Sequence, residues 1–319
     1  MGVYIGIDVG GTKVLAGVVD ARGRVVRTVQ RSTPGRRVDP GLVEQALSDA
    51  LVEVAGDDEV LGVGLAAAGF VDAAGQKVMF APHLPWVEAP VRSRLEECWG
   101  VPVALENDAT AAAHAEMTHG VAAGAEDAIM VTLGTGIGGG LVIGGRLHRG
   151  RNGMAGEFGH MQVVPDGAEC ECGGRGCWEQ YCSGRALVRF ARDRFGSQPS
   201  VLEESCGGNP GALTGPMVTD AAGEGDLLAL AAFRHVGDWL GVGLANLSAA
   251  LDPDCLVVGG GVSAAGDRLL APARTALQRS LVASGHRRVP PLVAARFGPQ
   301  AGLVGAADLV RQQVARAGQ

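Results

Sequence analysis

This chain of 319 residues has no uninterrupted apolar run long enough to cross a bilayer, although 47% of its residues are hydrophobic. Those residues are expected to fill interiors instead, and a chain of this length can bury two cores. A cationic leader with an apolar centre and a small-residue cleavage site is missing as well, since Met1 runs straight into a strand-like segment. The expectation is a soluble, cytoplasmic protein. Blocks of one charge are also lacking: 27 basic and 34 acidic side chains are spread along the sequence for a net charge of −7, which favours neither nucleic acid nor a membrane surface as partner. Seven cysteines, an odd number without a secretory leader, do not suggest a disulfide framework. The dinucleotide fingerprint and the P-loop are both absent, because Gly10-Gly11-Thr12-Lys13 has the spacing of neither and precedes a strand rather than a helix.

What the sequence does hold is a cluster of soft metal donors. His160, Cys170, Cys172 and Cys177 fall within eighteen residues, and the Gly173-Gly174-Arg175-Gly176 turn lets the chain fold back around an ion. Three thiolates and an imidazole form the shell of a structural zinc site, with no position left open for water. Buried thiols, or a disulfide with one spare cysteine, are the competing readings, and Cys182 is close enough to be a rival ligand. Cys98 and Cys255 sit in apolar runs and read as small core residues. Because Glu157 and Glu179 flank the cluster, the metal is expected to order a binding loop.

Glycine is the other excess, at 51 residues, and much of it directly follows apolar strands. Residues 3–8, 14–19 and 24–29 read as a three-stranded meander, and Asp39-Pro40 as the N-cap and first turn of a helix that stops at Gly56. A strand at 60–65, a helix at 88–99 closed by Gly100 and a strand at 101–105 follow. Glu106-Asn107-Asp108 then lies between that strand and the helix-forming residues 109–118, where open α/β sheets bind ligands. Residues 128–133, the glycine-rich turn 134–140 and residues 141–143 repeat the opening pattern. Residues 197–215 read as a loop, 226–250 as a long helix, 255–258 as a strand running into Gly259-Gly260-Gly261, and 266–281 and 302–314 as helices. The duplicated unit predicts two similar α/β domains facing a cleft: a smaller one from 1–108 with 303–319, and a larger one, 109–302, carrying the zinc loop. Glycine turns at strand ends can offer backbone N–H groups to phosphate without a Cβ in the way.

Six ordered motifs carry a resemblance: Asp8-Val-Gly10-Gly11-Thr12-Lys13, Glu106-Asn107-Asp108, Leu133-Gly-Thr-Gly-Ile-Gly-Gly-Gly140, Glu157-Phe-Gly-His160, Cys170-x-Cys172-Gly-x-x-Gly-Cys177-x-Glu179 and Gly259-Gly260-Gly261. Together they resemble the signature set of the ROK family of repressors, open reading frames and sugar kinases, and they run nearly from end to end. The bacterial ATP-dependent glucokinases of that family are the most similar group. The resemblance implies the two-domain actin/hexokinase-like, ribonuclease H-like ATPase fold, closing over ATP and sugar, and phosphorylation of D-glucose at its 6-hydroxyl.

Carried over residue by residue, it makes Asp108 the general base and assigns the sugar to Gly69, Asn107, Asp108, Glu157, His160 and Glu179. Asp8 would hold Mg²⁺ through water, Gly10, Gly11, Thr12, Lys13, Thr135 and Gly136 would approach the phosphates, and Gly259, Gly260 and Gly261 would face adenosine. His160 would serve twice, one ring nitrogen on zinc and the other toward a sugar hydroxyl. A homo-oligomer, dimer or tetramer, is implied in the same way. Taken alone, Asp108 could be a helix cap and Lys13 a solvated turn residue, and Glu106 reads as structural. Arg149, Arg151, Arg287 and Arg288 look like solvated loop charges.

Other family kinases, for N-acetylmannosamine, N-acetylglucosamine, mannose or fructose, share these motifs. A non-catalytic sugar sensor is the alternative of a different class, disfavoured by the retention of Asp8, Asp108 and all three glycine turns. The family's repressors carry an amino-terminal helix-turn-helix extension, for which the sequence leaves no room before the first strand. Relatives that use polyphosphate as donor typically lack the zinc cysteines, so ATP is expected.

Overall fold

The computed structural model describes residues 2–318. The first meander is β1 (Gly2–Val9), β2 (Lys13–Val19) and β3 (Val25–Ser32). It is followed by α1 (Pro40–Ala55), β4 (Glu59–Ala67), β5 (Phe70–Val71), β6 (Val78–Phe80), β7 (Val87–Ala89), α2 (Val91–Trp99), β8 (Val103–Asn107) and α3 (Asp108–His119). A second meander, β9 (Ala128–Leu133), β10 (Ile137–Ile143) and β11 (Arg146–Leu147), leads into α4 (Gly184–Asp193), α5 (Val201–Ser205), α6 (Gly215–Gly223) and α7 (Leu227–Leu251). The chain closes with β12 (Cys255–Gly259), α8 (Asp267–Ser280), β13 (Leu292–Ala294) and α9 (Ala301–Ala317).

Two five-stranded sheets have matching orders, β3-β2-β1-β4-β8 and β11-β10-β9-β12-β13. The duplication read from the glycine turns is thus a duplication of topology: an antiparallel meander whose first strand is extended sideways by parallel strands, as in the actin/hexokinase-like fold. By internal contacts the chain divides into one unit of Met1–Glu126, Gly140–Gly156 and Pro299–Gln319, and another of Asp127–Gly139 and Glu157–Gly298. The first unit therefore continues past the boundary expected at Asp108, because α3 packs on α9.

Strand alternation explains how the first sheet is covered on both faces. Ile5, Ile7 and Val9 of β1 join Val43, Leu47 and Val54 of α1 in one buried cluster. The intervening Gly6, with Gly64 of β4, meets α9 on the opposite side: a Cβ there would lie 1.8 Å from the carbonyl oxygens of Leu303 and Ala306. Only glycine lets the helix backbone come that close, which is why the final helix docks on this sheet.

Three local readings are corrected. The helix expected from residue 88 begins at Val91, because Glu88 has φ 47° and the following residues lead through Pro90; 87–89 instead pair with β6 in a small sheet, β5-β6-β7. The expected loop 197–215 contains α5 and a 3₁₀ turn at Pro210–Ala212, capped by Ser200 and Asn209 and pinned by the buried Leu202. Cys98 is exposed rather than in the core, whereas Cys255 is buried as expected. α7 is long and apolar enough to cross a membrane by length and composition, with mean hydropathy 1.2 over its apolar window, yet 56% of that window is buried and α7 packs on α4, α6 and α8.

Candidate active site

In the first unit β1, β4 and β8 are parallel and in register, Asp8 pairing with Ala66 and Ala66 with Glu106, then Val9 with Ala67 and Ala67 with Asn107. Their carboxyl ends are therefore level, and Asp8, Gly69, Asn107 and Asp108 gather along one sheet edge, the position at which open α/β sheets bind ligands. Asn107, not Asp108, caps α3: its Oδ1 accepts the Thr110 N–H at 2.9 Å. The same side chain donates from Nδ2 to the Gly69 carbonyl at 3.1 Å and to Asp108 Oδ1 at 3.0 Å, and the Ala109 N–H adds a bond of 2.8 Å to that oxygen. Asp108 is thus held on one oxygen by two donors.

Charge is concentrated at this edge. Burial, and after it repulsion from Asp108, lifts the Asp8 carboxyl from its ordinary 3.8 to about 7, with Lys13 pulling the other way. Burial also raises Asp108, against its bonds from Ala109 and Asn107. Two close carboxylates that resist joint ionisation suit a site that receives a cation. The β1–β2 turn is closed by the Gly10 N–H on the Lys13 carbonyl at 2.9 Å, leaving Thr12 and Lys13 exposed.

Glu106, read as structural, is buried, and its partner is Arg149, whose Nε and Nη2 reach Oε2 at 2.6 Å. Arg149 is therefore no solvated loop charge, and neither is Arg287, which bonds the Ser248 carbonyl and Asp252 at the end of α7. Nothing in the spacing of 106 and 149 announced the first pair.

In the second unit β9 and β12 are parallel, Gly259 pairing with Thr132, so the 134–136 turn and the Gly259–Gly261 segment leave the sheet at one edge. The Gly134 N–H bonds the Gly136 carbonyl at 3.0 Å, and the Gly134 carbonyl accepts from Gly184 at 2.8 Å. A cavity of about 850 Å³ opens there, lined by Thr135, Gly261, Arg185 and Arg189 of α4 and Thr219 and Asp220 of α6. Gly260 is instead packed on β9, where a Cβ would sit 2.4 Å from the Leu133 carbonyl. The contributions of α4 and α6 were missed, although Ser183 followed by the apolar spacing of Ala186, Leu187 and Ala191 marks α4 in the sequence.

The metal donors come together in this unit. The ligand atoms of His160, Cys170, Cys172 and Cys177 all lie within 4.8 Å of one another, and this group could hold a metal ion; Cys182, the rival, is not in it. Cys172 and Cys177 Sγ are 3.6 Å apart, and Cys170 Sγ is 3.8 Å from His160 Nδ1. That leaves His160 Nε2 toward Glu157 Oε2, at 4.0 Å. Without a cation, burial and the neighbouring sulfurs push the Cys177 thiol up to about 12. The loop is pinned from below by the fully buried Trp178, whose Nε1 donates to the Trp239 carbonyl at 2.8 Å.

Glu179 links the metal group to the glycine turn. Its Oε1 accepts from Cys170 Sγ at 3.3 Å, and its Oε2 accepts the Ile137 N–H at 3.4 Å. A Cβ on Gly136 would lie 2.3 Å from that second oxygen, so Glu179 explains why the turn needs glycine there.

The ROK family model matches residues 4–313. A glucokinase of Streptomyces coelicolor is 44% identical over 315 residues, 98% of each chain. A ROK family glucokinase of Streptomyces griseus, solved in complex with glucose and AMPPNP, superposes with a TM-score of 0.90 at 45% identity, covering 97% of this chain and 99% of that one. A ROK hexokinase of Thermus thermophilus superposes at 0.75, with 35% identity, 98% of this chain and 99% of that one. With the motifs in place along nearly its whole length, the chain belongs to the ROK family.

Proposed function

We propose that the chain is an ATP-dependent glucokinase, transferring the γ-phosphoryl group of ATP to the 6-hydroxyl of D-glucose. One observation carries this reading: Asp108, fixed on Oδ1 by Asn107 and Ala109, stands at the level carboxyl edge of β1, β4 and β8 in a chain 44–45% identical to glucokinases over nearly its whole length. Asp108 accepts the hydroxyl proton on its other oxygen as the sugar oxygen bonds to phosphorus and the bond from phosphorus to the β-phosphate oxygen breaks, releasing ADP. Such transfer depends on positioning and charge stabilisation, and a fixed carboxylate supplies the first.

We assign the sugar to Gly69, Asn107, Asp108, Glu157, His160 and Glu179. Asn107 acts chiefly through its neighbours, since its amide is already shared among Thr110, Gly69 and Asp108. The phosphates are assigned to Gly10, Gly11, Thr12, Lys13, Thr135 and Gly136. The cavity beside Thr135 and Gly261 is the size of a ligand pocket and is where adenosine belongs; of the three glycines Gly259, Gly260 and Gly261, only Gly261 lines it. The raised carboxyls of Asp8 and Asp108 fit a Mg²⁺ ion, which Asp8 would hold. Mg²⁺ bound with the nucleotide neutralises phosphate charge.

The four soft donors fit zinc. Tetrahedral bonds of about 2.3 Å to sulfur set donor separations near 3.8 Å, close to the 3.6 and 3.8 Å observed. His160 would ligate through Nδ1, leaving Nε2 for a sugar hydroxyl, so the zinc shapes sugar contacts and takes no part in the transfer. A coupled ADP-release assay over glucose, mannose, fructose, N-acetylmannosamine and N-acetylglucosamine, with ATP or polyphosphate as donor, tests the reading. Glucose with ATP should give the highest kcat/KM; silence on every sugar would refute a kinase.

A further inference from the structure

The first unit holds a second cavity, of about 800 Å³, and none of the residues assigned above to sugar, nucleotide or metal lines it. Four guanidiniums do: Arg92, Arg146, Arg149 and Arg316, with Glu106 the one carboxylate among the lining residues. In a chain of net charge −7 that is a local reversal of sign. Two of the four are committed, Arg92 to Glu96 at 3.1 Å and Arg149 to Glu106 at 2.6 Å. Arg146 and Arg316 have no side-chain partner among the described residues. Forked guanidinium donors match the oxygens of a phosphate, and a volume within the range of small-molecule pockets exceeds what inorganic phosphate alone would fill. Gln312 and Gln313 add neutral hydrogen-bonding groups to the wall, suited to hydroxyls.

One wall of this cavity leads to the catalytic edge. Glu106 accepts Arg149 on Oε2 and the Asn107 N–H on Oε1, at 3.1 Å. Asn107 in turn caps α3 and holds Asp108. An anion that draws on Arg149 weakens its hold on Glu106 and so changes the setting of the residue that positions Asp108. We propose that this cavity is an effector site for a small phosphorylated metabolite, bound by Arg146 and Arg316 and sensed at Asn107 through the Arg149–Glu106 pair.

The effector half rests on the kinase reading, whereas the binding half does not. Calorimetric titration at low salt, with glucose and AMPPNP saturating the substrate sites, would use inorganic phosphate in one arm and a three-carbon phosphoester in the other. The expected result is one saturable site per chain, tighter for the phosphoester than for phosphate. The double variant Arg146→Gln, Arg316→Gln should weaken it at least about ten-fold while leaving glucose turnover in the absence of phosphoester within about two-fold. In wild type, but not in the variant, the phosphoester should shift the KM for glucose at fixed ATP. Equal binding by the two proteins, or none by wild type, overturns the site. A variant that alters only the sedimentation coefficient, with no phosphoester bound by either protein, also overturns it, and marks the face as a contact between copies. Binding that disappears in the variant without any kinetic shift overturns the effector role alone. Binding lost in the variant of a chain that phosphorylates no sugar refutes the kinase and leaves the site standing.

Discussion

Replacing Asp8 by asparagine should make the metal-free protein more stable while disabling it. The carboxyl is lifted from 3.8 to about 7, so ionising it in the folded chain costs at most about 4 kcal/mol, at about 1.4 kcal/mol per pH unit. Asp8 is only half-buried, so solvent screening reduces this to about 2 kcal/mol. The sign follows from the direction of the shift. A group whose folded pKa is raised adds its full stability below the unfolded value, and that stability is lost as pH rises from about 4 through about 7. Asp8→Asn carries no charge to lose. Its advantage in thermal unfolding with EDTA should be near zero at pH 4, grow across that window and level off above pH 7 at about 4–8 °C. Adding Mg²⁺ and AMPPNP at pH 8 should narrow the gap, because the wild-type carboxylate then has a cation to face, and turnover of the variant should fall by two or more orders of magnitude. An advantage that is the same at pH 4 and pH 8, or no advantage at all, would refute the claim that this carboxylate is held against its ionisation.

Asp108→Asn preserves the bonds to Asn107 and Ala109 in shape but removes the proton acceptor, so kcat should fall about 10²–10⁴-fold while glucose affinity by calorimetry changes little; a near-normal kcat would exclude the residue as base. Zinc measured by atomic emission should be near one per chain, and Cys177→Ser or strong chelation should weaken glucose binding well before nucleotide binding, because the donors and Glu179 share one loop. Active protein with no zinc would count against the assignment. Gly136→Ala should drive the Glu179 carboxylate from its place, raising the KM for glucose about ten-fold or more, and it should do so without loss of the metal. An unchanged KM would separate Glu179 from the sugar.

Much of the fold was legible because it rests on local rules. Apolar strands, the Asp39-Pro40 start of α1 and the αL glycine closing α2 need only near neighbours, and they emerge where expected. Glu88 shows the limit: its segment is compatible with a helix until pairing with β6 claims it as a strand. The Cys170 to Cys177 spacing is legible for the same reason, since three of the four donors sit on one short turn.

The sequence by itself determined the element order, the duplicated meander with its glycine turns, the donor set for a metal and the motifs that assign the family. Tertiary structure alone decided that α9 docks on the first sheet through Gly6 and Gly64, that Arg149 neutralises the buried Glu106, and that arginines as far as 224 residues apart line one cavity. The physical reason is the range of the interactions. Propensity, capping and chelation by a short loop act over a few residues, whereas burial and charge pairing depend on which distant segments the packing brings together.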